Sequence, residues 1–406
     1  MSDAHTTAVV DPDAASTLAT ELATAPFVRV YGHADGDALA AVGLLAVALR
    51  DRSVPFQIHV STDPSGDLTA VDHDSETDDD DSRTVLVTQG RRDESDLAVP
   101  PAGDSRPVSV VAAAVSRELG VEPDPLLALA GVIAGGSMPG TDGSGGLLEA
   151  AQQAGLVVRR PGVGIPTADL VDGLAHSTLI DGPFSGDTEA TQALLAALDL
   201  PVDLDDEAQI RVASVVAIET ATAETSTPNA AEAIEAALRP YETPNGPFET
   251  LGGYADVLSA LARETPGLAI SLVLGAATVS TEALVTWREH ATAAHRALDD
   301  PITGRYENVF VLRVRTDRPA VLSTVARIAR QFRSPEPVVL IVTAEPVDGQ
   351  RHAAAAAAEP QGLADVLSSV ATEFGGTAGG TPTSATLQVD ADVEDGDLVA
   401  AVREAL

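Results

Sequence analysis

Three potential metal ligands follow one another closely near the start of the chain. His33, Asp35 and Asp37 alternate within the turn GHADGD, directly after a β-rich run at residues 27–31. Because the three alternate, a turning backbone can aim all of them at one point, and a mixed set of imidazole and carboxylate ligands suits Mn²⁺ or Mg²⁺. The pattern therefore predicts a site for one hydrated divalent cation.

The elements around this turn predict an α/β sheet. The run at residues 27–31 reads as a strand and residues 38–49 as an apolar helix, so the turn lies at the carboxyl end of a strand, where ligands bind in open α/β sheets. Strands are also expected at residues 54–60 and 84–88, whereas residues 91–106 are polar and Pro-rich and read as a loop. The first domain is thus expected to be built on a parallel sheet.

The rest of the chain predicts a helical linker and a second, smaller α/β domain. Residues 308–315, 338–343 and 384–389 read as strands, with helices between them and at the end. The expected division is a disordered lead-in at 1–18, an N-terminal domain at 19–150, a helical connector at 151–275 and a C-terminal domain at 276–406.

The charge of the chain is extreme. Its formal net charge is −37, and all 24 basic residues are Arg. This balance is typical of a cytoplasm with molar salt, where the Debye length falls to roughly 3 Å and only local charges act. The global charge therefore does not exclude a nucleic-acid partner.

The absence of Cys excludes disulfides and thiolate chemistry. No membrane span or secretory signal is apparent, so a cytoplasmic location is expected.

Two further patterns could bind phosphate. Arg327, Arg330 and Arg333 recur every three residues in a predicted helix, which places them along one face, and Arg313, Arg315 and Arg318 precede them. A glycine cluster before the last strand could cradle a phosphate through backbone N–H groups; its members are Gly375, Gly376, Gly379 and Gly380. The alternatives are an ordinary helix face paired with nearby acids and a flexible turn. The acidic stretch at 72–81 reads as a solvated loop, and His290 and His295 as core or surface residues.

Three segments carry a family resemblance. The segment YGHADGDALAAVGLLAVAL resembles the first motif of the DHH phosphoesterase superfamily. GGTAGGTPTSATLQV resembles the signature of the DHH-associated C-terminal domain, and GGYADVLSALARETPGLAISLVLG is similar to the linker of archaeal RecJ-like proteins. The resemblance implies two domains flanking a cleft, two Mn²⁺ or Mg²⁺ ions and exonucleolytic hydrolysis of single-stranded DNA or RNA. The eukaryotic relative in this superfamily is a non-catalytic subunit of the replicative helicase.

The chain departs from the superfamily pattern where that chemistry needs ligands. Two-metal hydrolysis requires ions about 3.5–4 Å apart, held by carboxylates and histidines from several strand ends. Thr88 ends the third strand where the superfamily has an Asp, and glycines 135 and 136 stand where another Asp is expected. No following strand carries Asp-His-His, and Thr377 or Thr381 replaces the substrate-binding His of the glycine-rich loop.

The resemblance and the departures together lead to two hypotheses. The first is a catalytically degenerate RecJ-like protein that binds single-stranded nucleic acid or serves as a structural subunit in DNA replication or repair. The alternative is an active Mn²⁺-dependent exonuclease or phosphoesterase that draws its missing ligands from the acidic loop. A nucleotide-sensing or small-phosphoester protein is a third class that the superfamily includes.

Overall fold

The N-terminal domain is a four-stranded parallel sheet with helices packed against it. The computed structural model describes residues 12–68, 82–89, 97–101, 104–201 and 204–406. Helix α1 (Pro12–Thr24) begins inside the segment 1–18, which was expected to be a disordered lead-in, and continues beyond it; residues 1–11 lie outside the described residues. The sheet has the order β2-β1-β3-β4, and its strands are β1 (Val28–His33), β2 (Phe56–Ser61), β3 (Arg83–Val87) and β4 (Leu97–Val99).

Strand β4 corrects the sequence prediction, which placed residues 91–106 in a loop. Its three residues pair in parallel with the end of β3, and the N–H of Thr88 donates to the carbonyl of Val99. A strand of three residues is too short to show an alternating pattern, which explains why it was missed. The strand is followed by Pro100, so the fourth strand exists but carries no acidic or histidine ligand at its end.

Helix α2 (Gly36–Asp51) is the centre of the N-terminal core. Nearly all of its residues are buried, because it packs against α3 (Val108–Glu118), α4 (Pro125–Ala134) and α10 (Leu251–Glu264). Close packing depends on Gly43, where a Cβ would lie 2.6 Å from the Cβ of Val273 in α11 (Pro266–Val273). The helix that follows the HADGD turn is thus surrounded by other elements of the N-terminal core.

The middle of the chain divides between two cores. Its elements are α5 (Gly145–Gln153), β5 (Val158–Arg159), α6 (Leu170–His176), α7 (Thr188–Ala196), α8 (Asp206–Thr222), α9 (Ala230–Ala237) and β6 (Tyr241–Glu242). Residues between Val163 and Leu238 form a small core of their own. Residues from Phe248 to Trp287 instead pack into the N-terminal core, Trp287 from helix α12 (Ser280–Ala297). The segment predicted as one connector therefore packs in two places.

The C-terminal region is a six-stranded mixed sheet with helices on both faces. The order is β11-β12-β10-β9-β8-β7, and only the β8–β9 pair is parallel. Its strands are β7 (Ile302–Tyr306), β8 (Val309–Val314), β9 (Val338–Thr343), β10 (Gln350–Ala357), β11 (Thr377–Gly380) and β12 (Ser384–Asp390). Helix α13 (Leu322–Ile328), continued by a π-helical turn (Ala329–Arg333), covers one face; α14 (Leu363–Phe374) and α15 (Asp395–Ala405) cover the other. The structure confirms an α/β fold with a parallel N-terminal sheet and a C-terminal sheet domain.

Strands β7 and β10 were not predicted. The first pairs with β8 across a turn at Asn308, and the second contains most of the poly-Ala tract. Ala has low β-propensity, so a run of alanines gives no strand signal in the sequence. In the structure these alanines are buried on both sides, where their small size lets α13 and α14 pack closely on the sheet.

Candidate functional site

His33 and Asp35 form a closed pair at the carboxyl end of β1. The Nδ1 atom of His33 lies 2.6 Å from Oδ2 of Asp35, and Oδ1 of Asp35 accepts the N–H of Ala38 at 2.8 Å, which makes Asp35 the N-cap of α2. Burial alone would raise the pKa of Asp35. The hydrogen bond and charge of His33, the Ala38 N–H and the charge of Arg263 outweigh it and hold that pKa below its ordinary value.

The carboxylate of Asp37 is bound to a different helix. Its two oxygens accept the backbone N–H groups of Val108 and Ser109 at 2.7 and 2.9 Å, which are the first donors of α3. The N-cap residue of α3, Pro107, supplies no side-chain hydrogen bond, so Asp37 acts as the cap from 71 residues away. Burial and the charge of Asp35 raise the pKa of Asp37 to about 7, against the lowering effect of these N–H groups.

The predicted convergence of the three side chains on one metal ion is not seen. Among the described residues, no group of three or more His, Asp or Glu side chains is arranged to hold an ion. Each carboxylate is directed to a helix N-terminus, because a buried helix end needs acceptors for its unpaired N–H groups. The acidic stretch at 72–81, the alternative source of ligands, lies outside the described residues.

The neighbouring strand and helix ends do not supply the missing donors. Thr88 follows β3, Pro100 follows β4 and Gly135 ends α4. A Cβ on Gly135 would lie 3.0 Å from Oδ2 of Asp37, so the glycine leaves the space that the Asp37 carboxylate occupies. The described residues therefore do not fit a pair of divalent cations.

Arg263 is a charged neighbour of this edge that the sequence analysis missed. It is half-buried near the end of α10, its charge lowers the pKa of Asp35, and its Nη1 donates to Oγ of Ser323 at 2.8 Å. Its being the one basic residue in the sequence of α10 is the single signal that could have indicated a role for it. The arginine links the N-terminal edge to the beginning of α13.

The three arginines predicted to form a phosphate-binding face are mostly engaged inside the protein. Arg327 donates from Nη1 to the carbonyl of Thr178 at 3.1 Å and from Nη2 to its Oγ1 at 2.6 Å. Arg333 forms a bidentate pair with Asp181, at 2.5 and 2.8 Å, and donates to the carbonyl of Leu298. Arg330 is half-buried, and Glu232 is the acidic residue whose charge acts on it. The face exists, but the middle of the chain covers it.

Further polar pairs join the same regions. Glu264 accepts hydrogen bonds from Arg318 and lies 2.8 Å from Nδ1 of His290, whose Nε2 contacts Thr324. His295 is buried, with Nε2 2.9 Å from the carbonyl of Ser177. Both histidines are therefore core residues.

Of the arginines that precede the arginine face in the sequence, Arg313 pairs with Asp395 in the C-terminal sheet domain. We call the contacts of Arg263, Glu264, Arg327 and Arg333 the interdomain joint.

The glycine cluster is a strand rather than a phosphate-binding loop. Gly375 is a left-handed helix cap (φ 68°), and Thr377–Gly380 pairs with β12 as the edge strand β11. A Cβ on Gly376 would lie 2.1 Å from the carbonyl oxygen of Gln388, and one on Gly379 would lie 2.2 Å from that of Thr62. These glycines are required by close backbone approach, the second one where the C-terminal sheet meets the end of β2.

Comparison with solved structures places this architecture in a known class. The structure resembles CDC45 from Entamoeba histolytica with a TM-score of 0.63 and 9% sequence identity, over 97% of this chain and 99% of that one. It also resembles RecJ in complex with Mn²⁺ from Thermus thermophilus, with a TM-score of 0.51 and 16% identity, over 97% of this chain and 54% of that one. The chain therefore shares the fold of CDC45 and of RecJ.

A sequence relative defines the family more narrowly. The protein described as "Uncharacterized protein rrnAC1427" from Haloarcula marismortui is 44% identical over 389 residues, which cover 96% of each chain. The family model "Uncharacterized protein rrnAC1427, C-terminal domain" matches residues 301–404. The chain belongs to the rrnAC1427 family. A haloarchaeal relative agrees with the high-salt interpretation of the acidic composition.

Within the described part of the chain, none of the helices combines the length and the apolar character needed to cross a membrane.

Proposed function

We propose that this protein is a catalytically degenerate, cytoplasmic RecJ-like protein that serves as a structural subunit of an assembly acting on nucleic acid in replication or repair. The observation that carries the proposal is the position of Asp37. In an active two-metal site a carboxylate at this edge would face the metal pair. Here both of its oxygens accept backbone N–H groups of α3, so the residue supports the fold instead.

The interdomain joint supports a structural role. Charged groups that are largely removed from water need hydrogen-bond partners, and an ion pair compensates them best. Arg333 has such a pair with Asp181, and Arg327 is hydrogen-bonded to Thr178. Arg333 and Asp181 are 152 residues apart, and Arg327 and Thr178 are 149 apart. These contacts hold the connector against the C-terminal domain, as a subunit with a fixed binding surface requires.

The first test is a phosphodiesterase assay. The wild-type protein is incubated in molar KCl with Mn²⁺ and single-stranded DNA or RNA, beside Asp35→Ala and His33→Ala. We expect no hydrolysis above the protein-free blank. We also expect the same weak Mn²⁺ binding in all three proteins, because the acidic surface residues that bind Mn²⁺ weakly are common to them. Hydrolysis by the wild type that either substitution abolishes would overturn the proposal and favour the active enzyme.

The second test concerns nucleic-acid binding. Arg330 is the member of the arginine face for which the described residues show no side-chain hydrogen bond, so it is the best remaining phosphate contact. We expect weak binding of single-stranded DNA or RNA that decreases in Arg330→Ala and is unchanged in the control Arg52→Ala, which removes an exposed arginine at the end of α2. Equal binding by the two variants would remove the arginine face from the interface.

A further inference from the structure

A cleft lies where the three regions of the protein meet. Its volume is about 170 Å³, and it is bordered by the loop after α4, by α9 and the β5–β6 pair, by α10, and by the end of α13 with the π-helical turn. Much of the wall consists of alanine and glycine, and the larger apolar side chains include Met138 and Tyr241. The cleft is smaller than a site for a drug-sized ligand, so its ligand would have to be small.

Three arginines line this cleft in a chain that is otherwise strongly acidic. Arg159, Arg239 and Arg327 face a single acidic lining residue, Asp256. The carboxylate of Asp256 is already used, because it accepts hydrogen bonds from the N–H and Oγ1 of Thr178 and from Nε1 of Trp287. The charged side chains that line the cleft therefore sum to a net positive charge, and Asp256 forms no ion pair with the three arginines.

The arginines retain capacity to bind an anion. Within the described residues, neither Arg159 nor Arg239 forms an ion pair; Arg159 lies over the ring of Tyr241, 5.4 Å from its centroid. Arg327 uses three of its five N–H donors for Thr178 and Gln331. At about 1 M salt, long-range attraction is screened within roughly 3 Å, so an anion is retained only by direct charged hydrogen bonds in a partly enclosed site such as this one.

From this geometry we propose that the cleft binds a small phosphate monoester with an apolar or aromatic body. The dianionic phosphate suits several guanidinium groups better than a single carboxylate does, since each guanidinium can donate two parallel hydrogen bonds. The apolar body packs between Met138, Tyr241 and the alanines of α9. The proposal shares Arg327 with the interdomain joint but uses neither Asp37 nor Arg330, and its test relies on Arg159 and Arg239, which lie outside the joint.

The test uses the full-length protein and phenyl phosphate as the probe, with calorimetric titration in molar KCl. Inorganic phosphate and phenol separate the contributions of charge and apolar body. We expect phenyl phosphate to bind more tightly than either fragment. Equal binding of phenyl phosphate and inorganic phosphate, or binding of none of the three, would overturn the proposal.

Variants locate the binding. We expect Arg239→Ala and Arg159→Ala each to weaken binding about tenfold, which corresponds to one charged hydrogen bond. The matched control is Arg160→Ala, which removes the adjacent exposed arginine that pairs with Glu242 and does not line the cleft. Ala236→Trp should block the cleft, whereas Ala231→Trp on the exposed part of α9 should not. Binding that is unaffected by Arg239→Ala, or equally weakened by Arg160→Ala, would contradict the assignment.

Discussion

The carboxyl edge of the N-terminal sheet and the interdomain joint use charged residues in opposite ways. At the edge, the buried carboxylate of Asp37 lies near the partly exposed carboxylate of Asp35, and backbone N–H groups donate most of the hydrogen bonds that the two accept. At the joint, half-buried arginines donate to acceptors from distant segments: Arg333 to the carboxylate of Asp181, and Arg327 to the carbonyl and hydroxyl of Thr178. The first arrangement places two carboxylates near each other, of which only Asp35 has a charged partner, and the second contains the ion pair of Arg333 with Asp181. We therefore expect losses at the joint to cost more stability than losses at the edge.

The largest effect is expected from Arg333→Ala. Removal of the guanidinium leaves the Asp181 side chain, which is 3% exposed, buried without its ion-pair partner, and breaking a buried pair on one side typically costs about 3–5 kcal/mol. The measurement is urea unfolding in molar KCl. The control is Arg305→Ala, whose pair with Glu336 is largely exposed on the arginine side and is worth about 0–1 kcal/mol. Similar losses of unfolding free energy in the two variants would show that burial of the Arg333–Asp181 pair does not increase its contribution to stability.

A smaller loss is expected from Asp37→Ala. Two buried N–H groups at the beginning of α3 lose their acceptor, while the cost of burying a second carboxylate near Asp35 disappears, so the net destabilisation should be about 2 kcal/mol. The matched control is Asp205→Ala, which removes an ordinary exposed cap of α8 that accepts one N–H and should cost about 1 kcal/mol. Unchanged stability of Asp37→Ala would mean that the carboxylate is free for another role.

Restoring an acid at position 135 tests whether the edge can still hold a metal. In Gly135→Asp the new Cβ lies within about 3.0 Å of Oδ2 of Asp37. We expect a destabilisation of about 1–2 kcal/mol from crowding and no increase in melting temperature on addition of Mn²⁺. The control is Gly136→Asp. A Cβ at this position would have no neighbouring atom within 4 Å, but the backbone is left-handed, so this variant introduces backbone strain without crowding. Mn²⁺-dependent stabilisation of Gly135→Asp would indicate a latent site.

These two regions also differ in how much the sequence could reveal. The strand, turn and helix around His33 were predictable, because alternation and helical periodicity are local. The sequence also showed that Thr88 and Gly135 stand where the superfamily pattern has acidic ligands. It could not show that Asp37 caps α3, since the acceptor and donor are 71 residues apart. The spacing of Arg327, Arg330 and Arg333 indicated a shared face, but Thr178 and Asp181, which cover it, follow no pattern that points to them.

The smallest effect is expected from Glu264 and concerns pH. Burial raises the pKa of this carboxyl, but hydrogen bonds and charges from His290 and Arg318 outweigh it and hold the pKa below the ordinary value of 4.5. Its stabilisation is therefore fully present above about pH 4.5 and decreases as the pH falls towards the lower folded-state pKa. Thermal unfolding of the wild type and Glu264→Gln, from neutral pH to below pH 4.5, measures this contribution.

The difference in melting temperature between these two proteins should be constant near neutral pH and shrink in acid, because only the wild type loses a negative charge at this position. Glu336→Gln is the control, since its partner Arg305 is exposed and holds the pair only weakly. A difference for Glu264→Gln that does not change with pH would mean that the hydrogen-bond geometry, which Gln partly retains, stabilises the joint rather than the charge. In that case the distinction between paired charges at the joint and like charges at the edge would not explain their stabilities.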